Sequence, residues 1–145
     1  MIALIQRVSR AAVCIDGEQV AAIDRGILAL VAAVPEDDDA RARRLAERVL
    51  GYRLFADADG RMNVSAAAGG HAVLAVPQFT LAADTRRGTR PGFSTACPPE
   101  RAAGLFDVFA AALAAAHTPV ATGVFGADMQ VELVNDGPVT FWLAS

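Results

Sequence analysis

An α+β domain with a β-rich first half is the fold class the sequence predicts, and three observations predict it. Three apolar, strand-like runs follow one another between Ile2 and Val34, separated only by short turn signals. Two later segments, one after Pro35 and one after Pro98, carry apolar residues at helical spacing. The chain has 145 residues, 54% hydrophobic and 20% charged, which suits one domain, 1–145, with a sizeable core and excludes disorder.

Residues Ile2 to Ile15 read as a strand, with Arg7 and Arg10 interrupting its apolar positions. Asp16-Gly17 is a two-residue turn signal, so Glu18 to Ile23 returns as a second strand. Asp24-Arg25-Gly26 turns again into Ile27–Val34, an unbroken apolar run with the length of a strand buried on both faces. Pro35 to Asp39 then starts a helix, whose acidic residues meet the positive end of the helix dipole and cap free N–H groups. The three aspartates Asp37, Asp38 and Asp39 read as a solvated cap rather than a metal site. Ala42, Leu45, Ala46 and Val49 form the apolar stripe, Arg41, Arg44 and Arg48 the wet face, and Gly51 the end.

Tyr52–Phe55 is a short strand, and Asp57–Gly60 a turn that lacks the later ligands of a calcium loop. Met62–Val64 and the small residues after it read as an irregular connection. His71–Val76 is a further strand, leading through Pro77–Asp84 into a polar, arginine-rich loop, Thr85–Phe93. Pro98-Pro99-Glu100 opens the second helix, with Leu105, Phe106, Phe109 and Leu113 as its core stripe. Thr122–Phe125 is strand-like. No repeat, linker or low-complexity segment divides the chain.

Near the end, Asn135-Asp136-Gly137-Pro138 sits between the alternating run Met129–Val134 and the β-branched and aromatic run Val139–Leu143. The pattern first reads as a hairpin. Pro138 suits a two-residue hairpin turn poorly, because it fixes its own φ, lacks an N–H and restricts Gly137. Two readings therefore stand here. One is a turn whose proline ends a strand; the other is a main chain that is itself a functional surface, presented through a cis peptide bond.

Composition excludes several classes of function. All 13 basic residues are arginine, so a Schiff-base lysine and a Walker-type phosphate loop are absent. The net charge of −3 argues against tight non-specific nucleic-acid binding, so any RNA contact is local. No apolar run is long enough to span a bilayer, and the charge order at the N-terminus is wrong for a signal peptide. A cytosolic protein with Cys14 and Cys97 reduced is the expectation. His71 and His117 have no metal-ligand spacing to each other or to cysteine, and no local motif marks a nucleophile with its base. What remains is polar residues at strand ends: Gln78-Phe79-Thr80 and Asn135–Pro138. Thr80 lacks an evident base, so backbone N–H groups at that corner are the alternative means of holding an oxyanion, beside ordinary strand-end hydrogen bonding.

Five segments taken together resemble the D-aminoacyl-tRNA deacylases: Met1–Val8, Arg48–Arg53, Gln78–Asp84, Arg87–Pro91, and Ala127–Gln130 through to Asn135–Trp142. The resemblance spans nearly the whole chain in register. It implies a cytosolic homodimer of compact α/β subunits with barrel-like sheets, acting without metal or cofactor on the ester at the aminoacylated 3′ end of tRNA, with no DNA or membrane partner. It implies that Gly137 and Pro138 enter the partner subunit's site and reject L-substrates, that Arg7 braces them, and that Gln78, Phe79 and Thr80 form the catalytic corner. Arg86, Arg87 and Arg90 are candidate tRNA contacts, with a solvated arginine loop as the alternative. Pro77 stands where relatives usually carry serine, so a hydroxyl and an N–H are absent there, and Gly92 also replaces a common serine. Two other functions stay open: a non-catalytic module that binds RNA 3′ ends, and a hydrolase of small D-amino acid esters.

Overall fold

Alternating burial makes the first run a strand, and its fourteen residues make it the axis of the molecule. The computed structural model describes residues 1–117 and 119–145. In chain order its elements are β1 (Ile2–Ile15), β2 (Glu18–Ile23), β3 (Gly26–Ala32), α1 (Asp39–Gly51), β4 (Arg53–Ala56), β5 (Met62–Ser65), the single turn α2 (Ala66–Gly69), β6 (Ala72–Pro77), a 3-10 turn at Phe79–Ala82, α3 (Pro99–Ala116), β7 (Val120–Thr122) and β8 (Gln130–Ala144).

One edge of β1 pairs antiparallel with β8 over nearly its full length. The other edge pairs with β3 along residues 2–8 and with β2 along residues 11–15. β6 runs parallel to β3, and β7 parallel to β6. Parallel neighbours need long crossovers, which α1 and α3 supply, and both helices cover the same side of the sheet. On the other side the sheet curls, bringing β2 over β6 and β7 into a nearly closed barrel. The two faces hold separate cores. Ala3, Ile5, Ile27, Val31, Val73 and Leu143 pack under the helices with Leu45, Leu54, Phe55 and Phe109. Val8, Ala11, Val13, Ile23, Leu28, Leu74 and Val76 fill the barrel. A bulge between Val8 and Arg10 is what lets Val8, Ala11 and Val13 share one face.

Most of the expected elements are present. Asp16 and Gly17 both have positive φ, 51° and 81°, the primed turn that matches strand twist. Asp38 caps α1 through a 2.8 Å bond from the Arg41 N–H. Asp57 forms a local turn whose carboxylate accepts from the backbone of Asp59 and Arg61 and from Asn63. Both cysteines are free thiols, and burial pushes that of Cys97 up. Among the described residues no helix is long and apolar enough to cross a membrane.

Four readings need correction. Met62–Val64 belongs to β5, paired with β4, because cross-strand bonds rather than apolar pattern fix a two-stranded ribbon at the surface. The strand placed at Thr122–Phe125 lies earlier, at Val120–Thr122, where β6 offers a partner edge. The two runs flanking Asn135–Pro138 are not a hairpin: both belong to β8 and pair with β1 rather than with each other. Asp37 is not a solvated cap. It is fully buried, and its carboxylate takes 2.5 Å and 2.8 Å bonds from the Met1 ammonium and the Val34 N–H. Arg41 stands 3.5 Å away, Ser145 Oγ accepts from the same ammonium, and Arg101 binds the Asp37 carbonyl. Charge burial of this kind is tolerable only with such complete pairing.

Candidate functional site

The first candidate is the corner where β6 ends. Gln78 donates its N–H to Val31 O at 2.7 Å, closing the ladder to β3, and the chain then turns through Phe79–Ala82. Leu81 and Ala83 donate back to Gln78 O and Thr80 O, each at 3.2 Å. The N–H groups of Phe79 and Thr80, at the open start of that turn, have no acceptor among the described residues. Thr80 Oγ1 accepts from Gln78 Nε2, and no histidine or carboxylate among the described residues bonds to it. A cleft of about 280 Å³ opens beside the corner, lined by Pro77, Gln78, Phe79, Phe125, Asp128 and Met129 among others. Phe79 is 55% exposed and lies 5.1 Å, centroid to centroid, from the half-exposed ring of Phe93 on the arginine-rich loop.

Pro77 leaves the ladder to β3 intact. Gln78 donates toward β3, so the alternation of a strand aims position 77 at the β7 side. There the chain continues past β7 to Gly123, which donates to Ala75 O at 2.8 Å and packs against the Pro77 ring, so proline removes the next possible donor on that side. The missing hydroxyl has no substitute among Pro77's own atoms.

The second candidate lies on β8. β1 pairs Val8 with Asn135 and then Gln6 with Thr140, so residues 136–139 bulge out of the ladder. Gly137 and Pro138 are exposed at the tip of this bulge, and the peptide between them is cis. Gly137 has φ +144°, and an added Cβ would meet Val139 Cγ2 at 2.7 Å, the Val139 nitrogen at 2.9 Å and Arg7 Nη2 at 3.2 Å. Glycine is therefore required twice over, by angle and by space. Arg7 donates Nε to Asp136 O at 2.9 Å and Nη1 to Leu54 O at 2.8 Å, tying the bulge to β4. The Asp136 carboxylate stands 3.4 Å from the same guanidinium.

These two candidates do not meet within one chain. The bulge lies on the row Arg7–Ile27–Val73, the corner beyond the row Leu143–Ala3–Val31–Pro77. That separates them by roughly 13 Å along the strands and roughly 14 Å across them. Neither Gly137 nor Pro138 lines the cleft beside Phe79. A more voluminous hollow, about 740 Å³, runs along β1, β2 and β8 past Arg10, Gln19, Asp24 and Glu132, and it contains none of the candidate residues. Its size does not make it the site, since its walls gather no convergent chemistry.

In the loop Thr85–Phe93, Arg86 is engaged: its Nε and Nη2 grip the two oxygens of Asp84 at 2.8 Å and 2.7 Å. That guanidinium holds the Asp84 carboxyl well below the usual carboxylate range. Arg87 and Arg90 are exposed and have no acidic partner among the described residues.

Sequence reasoning missed three contributors. The role of Asn135 is local, through Val139 four residues on, whereas Leu54 O and Phe93 act through contacts between distant elements. Only Asn135 carried a local signal, since asparagine side chains commonly substitute for backbone partners at turns.

The family model described as D-Tyr-tRNA(Tyr) deacylase matches residues 4–144. A D-aminoacyl-tRNA deacylase of Halorhodospira halophila is 63% identical over 144 residues, covering 99% of this chain and 94% of the relative. One from Escherichia coli is 55% identical over 143 residues, covering 99% of each. Among solved structures, the c-Myc DNA Unwinding Element Binding Protein superposes with a TM-score of 0.95 at 38% identity, covering 100% of this chain and 99% of that one. A probable eukaryotic D-amino acid tRNA deacylase shares the fold, with a TM-score of 0.86 at 15% identity over 98% and 97% of the two chains.

Proposed function

The chain belongs to the D-Tyr-tRNA(Tyr) deacylase family and is a hydrolase of the D-aminoacyl-tRNA ester bond, and we propose that it tells D from L by main-chain oxygens donated from a second copy of itself. The observation that carries this reading is the Gly137–Pro138 bulge, exposed, outside the ladder and held from behind by Arg7. Once the amino and ester groups of a substrate are anchored, D- and L-residues differ only in the direction in which the side chain leaves Cα. The carbonyl oxygens of Gly137 and Pro138 occupy the direction an L side chain needs. Selection then works by excluding the wrong hand rather than gripping the right one. Because main-chain atoms do the excluding, the D side chain goes unread and many D-residues are accepted. Glycine has no side chain to exclude and is cleaved too.

Bulge and corner stand too far apart in one chain to serve one substrate. A two-fold pair in which each copy's bulge enters the other's cleft completes both sites at once. Trp142, 54% exposed on the same strand, is apolar surface of the kind such pairing covers.

For the chemistry, water attacks the ester carbonyl carbon, and the N–H groups of Phe79 and Thr80 hold the oxyanion, each commonly worth about 3 kcal/mol. The bond to the ribose 3′ oxygen then breaks, and that oxygen leaves with a proton, giving free D-amino acid and tRNA. No side-chain base among the described residues bonds to Thr80, so the adjacent 2′-OH of the RNA activates the water. Arg87 and Arg90 meet phosphates of the tRNA end, while Arg86 stays with Asp84.

The test is to follow ester loss from D-aminoacyl-, L-aminoacyl- and glycyl-tRNA with the purified protein. Cleavage of the D and glycyl esters with the L ester spared is the expected result. Equal turnover of mirror-image substrates overturns the filter, and no turnover of any returns the chain to a module that only binds RNA ends. A small D-amino acid ester lacking the ribose 2′-OH should be spared; rapid cleavage would replace RNA-assisted catalysis with a general D-ester hydrolase.

A further inference from the structure

We infer that Asn135 is a positioning residue for the discrimination between D- and L-substrates, its carboxamide closing the neck of the bulge that bears Gly137 and Pro138. The inference rests on the filter reading above and adds the group that sets where the filter stands. Asn135 Oδ1 accepts from the Val139 N–H at 2.9 Å, and its Nδ2 donates to the Val139 carbonyl at 3.2 Å. Those are the two bonds an antiparallel partner residue would make, so one side chain replaces the strand where β1 no longer pairs. Three residues, Asp136, Gly137 and Pro138, are enclosed between the two ends of this tie.

The neck is also joined to β1. Asn135 Nδ2 lies 3.3 Å from Thr140 Oγ1, which accepts from Gln6 Nε2 at 3.2 Å. Gln6 and Arg7 leave β1 on opposite faces, so the bulge is held from both sides. Arg7 fixes the Asp136 carbonyl, Asn135 fixes Val139, and Gly137 and Pro138 lie exposed between these ties. Only a carboxamide of this length supplies both halves of the neck. Aspartate keeps the acceptor for the Val139 N–H but turns a second oxygen toward the Val139 carbonyl, and alanine supplies neither.

The test compares Asn135→Asp, Asn135→Ala and Thr140→Val with the wild type, reading D- and L-aminoacyl-tRNA turnover beside melting temperature. A filter that has lost its neck shifts, and a displacement near 1 Å should cut the D-over-L ratio by roughly tenfold to 100-fold in the Asn135 variants. The drop should come mainly from L turnover rising. Thr140→Val, which leaves the Asn135–Val139 bonds in place, should move the ratio the same way by less. Asn135 variants that keep the wild-type ratio overturn the inference, even if they melt lower, since that is what a merely structural role gives. Should the Asn135 variants fail to fold, hydrogen exchange at the Val139 amide of the wild type decides: slow exchange supports the neck and rapid exchange sinks it. A wild type that does not discriminate sinks the filter itself, whereas a discriminating wild type with unchanged variants sinks only the role of Asn135.

Discussion

Two polar clusters join the start of the chain to its end, and they are built on opposite principles. Around Met1 the charges themselves are the endpoints: an ammonium 1% exposed meets a carboxylate 0% exposed, with Ser145, Arg41 and Arg101 completing the shell. Around Arg7 the side chains are braces: guanidinium and carboxamide hold Asp136 and Val139 so that the backbone between them faces outward. Buried pairing of the first kind makes the structure intolerant of loss. Bracing of the second kind leaves the braced main chain exposed, where stability depends on it less. The comparison teaches that the two clusters work by different means, a buried charge pair closed by its shell in one case and side chains that hold exposed main chain in the other.

The strongest way to break that contrast is Asp37→Ala, which strands the Met1 ammonium in the interior. It should cost about 3 to 5 kcal/mol and lower the melting temperature by on the order of 10 °C. The D-over-L ratio of the folded fraction should be untouched; if it falls in step with stability, the clusters are not separable. Gly137→Ala is the converse. The clash with Val139 and the positive φ should cost about 1 to 3 kcal/mol, but reduce the D-over-L ratio by roughly tenfold or more as the carbonyls move. Melting curves and paired turnover assays measure both.

Thr80→Ala sharpens the claim that main chain carries the chemistry. Its kcat should fall by less than about tenfold, well short of the roughly 100- to 10,000-fold that a lost acid–base group costs. Near-complete loss with substrate binding intact would make the hydroxyl a nucleophile. The smallest effect expected is on pH. The His71 imidazole, stacked 3.8 Å from the Phe55 ring, is held below its ordinary value of 6.5 chiefly by burial, then by Arg25 and His117. The unfolded chain therefore takes up the proton first, so this contribution to stability is complete above about pH 6.5 and declines as pH falls below it. His71→Gln should flatten that decline in melting curves collected across the window.

The barrel side of the fold was legible because its signals are local. Asp16-Gly17 dictates a primed turn, and the turn dictates the register of Glu18–Ile23. The apolar run Ile27–Val34 announced a strand covered on both faces, and β3 lies between the helices and the barrel interior. Asp37 was misread because its partner is an ammonium 36 positions away, which no window of sequence contains. The apparent hairpin at Asn135–Pro138 was misread for a related reason. Alternation on either side of a turn signal shows two strand segments but not what they pair with, and here both pair with β1. An exposed main-chain surface at Gly137–Pro138 was one reading of the residues, and the roles of Gly137, Pro138 and Arg7 came from family resemblance. The neck made by Asn135 needed coordinates, because an asparagine before a bulge looks like any turn asparagine.

The two residues that brace the bulge through Arg7 and Asp136 are 129 positions apart. Contacts so distant form late, since a long stretch of chain must be brought together first. A nascent polypeptide therefore carries its first strand through most of synthesis without the partner it will zip against. The bulge that we propose as the stereochemical filter is thus among the last parts of the molecule to form, and a translation product cut short before β8 would have neither the bulge nor a finished barrel.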